Sequence, residues 1–205
     1  MPSLAPDSLS SLITQSFTDR KRPAYGQLAT ADLDGTPHVR AVHFHLIPER
    51  EALAFNCHTL SAKWQQLSQN SRHEGCFFDP YRLVQIRWRG IAEPLNPRDP
   101  NEKTFLDQMW LRMRPDVRGE YWIDCGGKSS NVSERAPNLG TILCRPFLWD
   151  IYKISQKEIP TVARLIDSLW PGKISFGEYG KGERTIHELK NGRWVSRKVS
   201  LLNGK

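Results

Sequence analysis

The chain has 205 residues, 39% hydrophobic and 25% charged, a composition expected of a soluble globular protein of one domain or two small ones. No run approaches the roughly 20 consecutive apolar residues of a membrane-spanning helix, and residues 1–7 have neither a basic nor an apolar leader region, so the expected location is the cytoplasm. The formal charge of +7 would suit a nucleic-acid partner, but the cations are scattered: Arg20-Lys21-Arg22 and Arg197-Lys198, the densest clusters, are too short for a phosphate-tracking stripe.

Leu9, Leu12, Ile13 and Phe17 recur at helical spacing after Pro6-Asp7 and predict an amphipathic first helix ending near Arg20–Pro23 and packing as a lid. From Tyr25 the period changes to that of a strand through Ala31, with a turn at Asp32–Gly35 and one antiparallel partner running to Leu46. Pro48-Glu49-Arg50 turns the chain into a third strand, Ala52 to Asn56. Ser61 then reads as the N-cap of a helix with Trp64 and Leu67 inward and a stop at Asn70. Strands follow around Gly75–Phe78 and Leu83–Ala92.

Asp99, Pro100 and Glu102 form a helix-start signature with a capping glutamate, and Phe105, Leu106, Met109, Trp110 and Met113 supply one apolar face ending at Pro115. A less regular stretch, Asp116 to Asn138, leads to further strands, then a helix marked by Ile159, Val162, Leu165, Ile166 and Leu169. The last unit is a hairpin whose Asn191-Gly192 asks for a type I′ turn. The expected architecture is mainly β, a closed or split antiparallel barrel with flanking helices in a single domain spanning 1–205: barrel core 24–95, helical insertion 99–137, C-terminal strands, helix and hairpin 138–205.

Cys57, Cys76, Cys125 and Cys144 show no Cys-x-x-Cys spacing, so they read as reduced thiols, and Asn131-Val132-Ser133 as a chance glycosylation sequon. His43 and His45 share a strand face, opposite His38 and Arg40, but no third ligand accompanies them, and no metal is expected. Hydrolase-elbow, phosphate-loop and zinc-protease motifs are absent.

Three pieces carry chemistry. Ser61-Ala62-Lys63 offers a hydroxyl, helix-start N–H groups and an ammonium to an anion, although serine is also an ordinary cap. Arg40 adds a second cation if the sheet brings it alongside. Gln85 both donates and accepts, on a strand face shared with Arg87 and Arg89. Together they suit one phosphorylated, flat ligand.

The order Arg40-x-Val42, Phe55, Ser61-x-Lys63, Gln85-x-Arg87 and Gly90-x-Ala92-Glu93 resembles the pyridoxamine 5′-phosphate oxidase family, over about a quarter of the chain. Trp110, Arg118, Tyr121 and Trp122 make it similar to the shorter subgroup of cyanobacteria and plants. The resemblance implies an FMN-binding split barrel working as a homodimer with the flavin at the subunit boundary. It implies that Arg40, Lys63 and Ser61 hold the FMN phosphate, that Ala41, Val42, Asn56 and Cys57 line the cofactor, that Gln85 addresses the ring, and that Arg184 lies near flavin and substrate, with Trp194 at the spacing of the terminal hairpin. Arg184 and His45 are the candidate catalytic residues.

The chain departs from the oxidase pattern at Ala62, at Asn56-Cys57, at His45 in place of the substrate-phosphate lysine, and after Arg114-Pro115, where Asp116 to Trp122 replaces a Gln-Ser segment. The resemblance therefore implies the cofactor site more fully than a B6 phosphate substrate. The leading expectation is an FMN-dependent oxidoreductase acting on a small, anionic molecule. A non-enzymatic flavin or haem binder, with His43 or His45 as axial ligand, and a basic nucleic-acid binder remain alternatives.

Overall fold

Leu9, Ile13 and Phe17 form the buried stripe of α1 (Asp7–Phe17), which lies over one end of a β-barrel. The computed structural model describes residues 3–19, 21, 23–119, 121–122, 134–154 and 182–200. The helix expected over Ile159–Leu169, Cys125, the Asn131 sequon and most of the glycine-rich stretch from Gly177 lie outside them. Helix α1 stops at Phe17, earlier than its sequence suggests, with Thr18 as its C-cap and the Thr18 N–H and hydroxyl both on Thr14 O.

β1 (Tyr25–Ala31) pairs antiparallel with β2 (Pro37–His43), as the turn at Gly35 (φ +89°) allows. The single partner strand expected to reach Leu46 is divided at Phe44. Its backbone N–H donates to Ala24 O, and its ring enters the core edge-on to Phe55 and Trp88 at 5.8 and 4.7 Å. Beyond it β3 (His45–Ile47) leaves β1 and joins β4 (Ala52–His58).

α2 (Ala62–Gln69) follows, then β5 (Arg72–Asp79) and β6 (Val84–Leu95), both longer than predicted. The Asp99 carboxylate caps a 3-10 turn, Pro100–Glu102, through Asn101 N, and α3 (Lys103–Arg112) continues from it. Glu102 does not close a capping box; it pairs with Arg50 at 2.7 Å. After the short α4 (Pro115–Arg118) come β7 (Leu139–Lys153), β8 (Glu183–Lys190) and β9 (Arg193–Val199). Asn191 and Gly192 have φ of 49° and 74°, the positive pair of a type I′ turn.

Among the described residues one nine-stranded antiparallel sheet runs β2-β1-β5-β6-β7-β4-β3, with β8 and β9 continuing from the second half of β7. Its path ends, β2 and β3, are consecutive in the chain but unpaired, leaving the barrel split at Phe44. Trp88, Trp149, Phe44 and Phe55 fill the interior, while Phe105, Leu106 and Met109 of α3 cover the outside of β4 against Ala52, Ala54 and Leu143. The second layer makes β4 apolar on both faces, so it reads as a continuous hydrophobic run.

Candidate functional site

Arg40 leaves β2 on the face of buried Val42 and reaches across β1 to α2. Its guanidinium donates to Thr30 Oγ1 (2.5 Å) and to Gln66 Oε1 (2.9 Å). The same Gln66 oxygen accepts from the Thr30 hydroxyl (2.6 Å), and Gln66 Nε2 donates to Asp32 (2.8 Å), whose other oxygen meets His38 Nε2 at 2.7 Å. Hydrogen bonds from His38 and then Gln66 hold the Asp32 carboxyl below the usual range. Gln66, 6% exposed, is thus the hub that docks the strand arginine onto the helix. The spacing of α2 puts Lys63 one turn before Gln66 on the same side, which brings both cations to one helix face.

Ser61 occupies the N-cap position, but its side chain makes no cap bond; Trp64 and Gln65 N–H close on its carbonyl. The Ser61 hydroxyl, shut off from solvent, has no nitrogen or oxygen partner and lies against the Cys57 thiol, which burial pushes up to about 11. Beside it, the N–H groups at the start of α2 and the Lys63 ammonium are the donors that fit an anionic oxygen.

The flanking positions divide. Ala41 is exposed on the outer face of β2, whereas the side chains of Val42 and Cys57 lie in the barrel core, leaving only their backbones to face a ligand. Both ends of the Asn56 amide are committed: Nδ2 donates to Met109 O at 3.1 Å, and Oδ1 accepts from Thr141 at 2.8 Å. Asn56 therefore ties α3 to the barrel.

Gln85 stands on the outer face of β6, opposite in pleat to buried Val84 and Ile86. Its row across the sheet is Phe78, Gln85, Tyr152 and Arg184, contributed by β5, β6, β7 and β8. Arg87 and Arg89 share that face, as their alternation requires. Arg184 is held by Asp150 through Nε (2.9 Å) and Nη2 (2.7 Å). Arg40 belongs to the other face: its row, Leu28, Gly75, Trp88 and Trp149, is the barrel interior. The two halves of the expected site thus lie on opposite faces of one sheet, and a single chain does not turn both toward one flat ligand.

His43 and His45 do share a side, their rings 4.2 Å apart, and Tyr25 stacks on His43 at 4.8 Å. Burial first, then the neighbouring His43 and Arg112, lower His45 to about 4, so it is a neutral imidazole near pH 7. Among the described residues no group of three or more His, Cys, Asp or Glu side chains is placed to hold a metal. The predicted Trp110, Arg118 and Tyr121 do assemble, with Arg118 over Trp110 at 5.8 Å and Tyr121 edge-on to it at 6.1 Å. Sequence reasoning missed Gln66 and Asp150. Gln66 stands next to the buried Leu67 of α2, and Asp150 is a lone acid inside the apolar run of β7.

The family model described as pyridoxamine 5′-phosphate oxidase matches residues 14–139, more than half of the chain. Among solved structures, a pyridoxamine 5′-phosphate oxidase-related, FMN binding protein of Nostoc punctiforme superposes with a TM-score of 0.72 at 20% identity, covering 97% of this chain and 100% of that one. PhzG of Burkholderia lata, solved with tetrahydrophenazine-1-carboxylic acid, gives 0.63 at 17% identity over 94% of this chain and 88% of its own. At these identities the two structures speak for the fold.

Proposed function

Because the chain belongs to the pyridoxamine 5′-phosphate oxidase family, we propose that it is an FMN-dependent oxidoreductase acting as a homodimer on a small anionic molecule. The observation that carries this reading is the division of the site between two sheet faces. Arg40, Ser61 and Lys63 make a phosphate cradle on one side, and Gln85 with Arg184 makes a polar row on the other. A second copy brings its outer row to the first copy's cradle, so that each ligand is touched by both chains, an arrangement that two-fold symmetry duplicates.

The residues fit FMN. The Lys63 ammonium and the start of α2, with Ser61 at its N-cap, match a terminal phosphate, with Arg40 oriented by Thr30 and Gln66 at its side. When bound, FMN supplies the redox chemistry, and the protein supplies orientation and field. Gln85 presents a donor and an acceptor to a ring edge. Arg184, charged and fixed by Asp150, favours negative charge beside that ring or on a substrate. His45, uncharged, serves as a hydrogen-bonding group and not as a phosphate-binding cation, which disfavours a B6 phosphate ester as substrate. No helix of the described residues is long and apolar enough to cross a membrane.

Titration with FMN, followed by quenching of flavin fluorescence together with the mass in solution, tests the reading. Saturable quenching at one FMN per chain in a dimer is the expected result. A monomer that leaves FMN fluorescence unchanged, or a Soret band formed on adding haem and lost in His43→Ala or His45→Ala, would refute it.

A further inference from the structure

Charges alternate across the outer face of four neighbouring strands. Arg89 and Arg87 of β6 both reach Glu74 of β5, through Nε at 3.2 and 3.0 Å. Arg87 also approaches Asp150 of β7 at 3.6 Å, and Asp150 takes the two-pronged contact from Arg184 of β8. Three guanidinium groups thus meet two carboxylates, leaving one positive charge in excess. Asp150 is the buried member, 6% exposed, and lies directly across from Arg87 in the register, one pleat from the Gln85–Tyr152–Arg184 row.

A carboxylate in such a place is costly unless its partners are fixed, and a two-pronged contact sets the plane of a guanidinium as well as its position. We propose that Asp150 is a positioning residue, which aims the Arg184 guanidinium so that it receives the negative charge of the bound ligand, while Arg87 is fixed by Glu74. This rests on the reading above, in which Gln85 and Arg184 border the flavin. A mere sheet-stapling role for Asp150 would lower stability and leave ligand affinity alone.

The test is a double-mutant cycle on the full chain with FMN as probe, plus arginine modification by phenylglyoxal mapped by peptide mass spectrometry. Asp150→Asn, nearly isosteric, is expected to raise the FMN dissociation constant about tenfold, Arg184→Gln by a similar factor, and the double variant no further than Arg184→Gln alone. Asp150→Glu restores part of the affinity. In Asp150→Asn, Arg184 reacts with phenylglyoxal several-fold faster than in the wild type, while Arg87, held by Glu74, and the exposed Arg193 keep their rates. Additive effects on FMN affinity in the cycle, or an Arg184 modification rate unmoved by Asp150→Asn, overturn the proposal. Wild-type protein that fails to quench FMN sinks the flavin reading, and the modification rate still decides whether Asp150 holds Arg184.

Discussion

Replacing Gln66 with leucine removes, in one step, the oxygen shared by Arg40 and Thr30 and the donor to Asp32. The lost Thr30 donor bond, at a residue 5% exposed, costs about 1 kcal/mol, and the lost bond to the half-exposed Arg40 about 1–2 kcal/mol after allowance for solvent. The contact with the solvent-open Asp32 adds nothing to this sum. Gln66→Leu should therefore unfold at lower urea, about 2–3 kcal/mol less stable, and should weaken FMN at least tenfold because Arg40 loses its tether to α2. Gln66→Glu keeps an acceptor for Arg40 and Thr30 but turns a carboxylate against Asp32 and the cradle: it should lose less stability than Gln66→Leu while FMN binding falls as far. Gln65→Leu, on the exposed side of the helix, is the control and should change stability by less than about 0.5 kcal/mol. Equal urea midpoints for Gln66→Leu and wild type, or wild-type FMN affinity in Gln66→Glu, would refute the hub.

Lowering the pH below 6.5 should destabilise the protein. Unfolded, the His45 and His73 imidazoles take up a proton below about 6.5, but folded they resist until about 4, chiefly through burial, so in that window the unfolded chain binds more protons and stability falls by up to about 1.4 kcal/mol per pH unit for each. Urea midpoints for wild type and His45→Gln across pH 4–7 should converge at the acid end; parallel curves would contradict the assignment. In Gly75→Ala the new methyl would overlap Cζ2 and Cε2 of the fully buried Trp88 indole, so a loss of about 3 kcal/mol or more is expected, with partial recovery in Gly75→Ala/Trp88→Leu, measurable by urea unfolding. Thiol labelling of the native protein, mapped by peptide, should modify the partly exposed Cys76 and spare Cys57 and Cys144, which the barrel buries; equal labelling of the three would show that the barrel core opens readily.

Elements governed by local chemistry were legible in the sequence. The Leu9–Phe17 stripe, the Asn191-Gly192 hairpin and the Val84–Ala92 alternation each answer to neighbours a few residues away. The break at Phe44 was not legible, because an extended run that changes partner from β1 to β4 keeps its alternation while its pairing switches. For the same reason Arg40, Lys63 and Gln85 could be picked out singly but not assigned to faces of a common sheet, which is decided by registers joining distant strands. Val42 and Cys57, which the resemblance implies line the cofactor, have their side chains in the barrel core, a placement that strand pairing decides. Gln66 and Asp150 take their meaning from arginines 26 and 34 residues away, beyond any local pattern.

Strand β7 is shared by two sets of neighbours along its length: residues 139–144 bond to β4, and residues 148–153 to β8. The C-terminal hairpin is therefore what seals half of the longest strand in the sheet. A truncation ending before Glu183 would strip that half bare on one side, uncovering a row of peptide groups within an apolar segment rich in aromatics, Phe147 to Tyr152. Such a fragment should recruit foreign strands and precipitate, so soluble expression of this fold calls for chains that retain the hairpin through Val199.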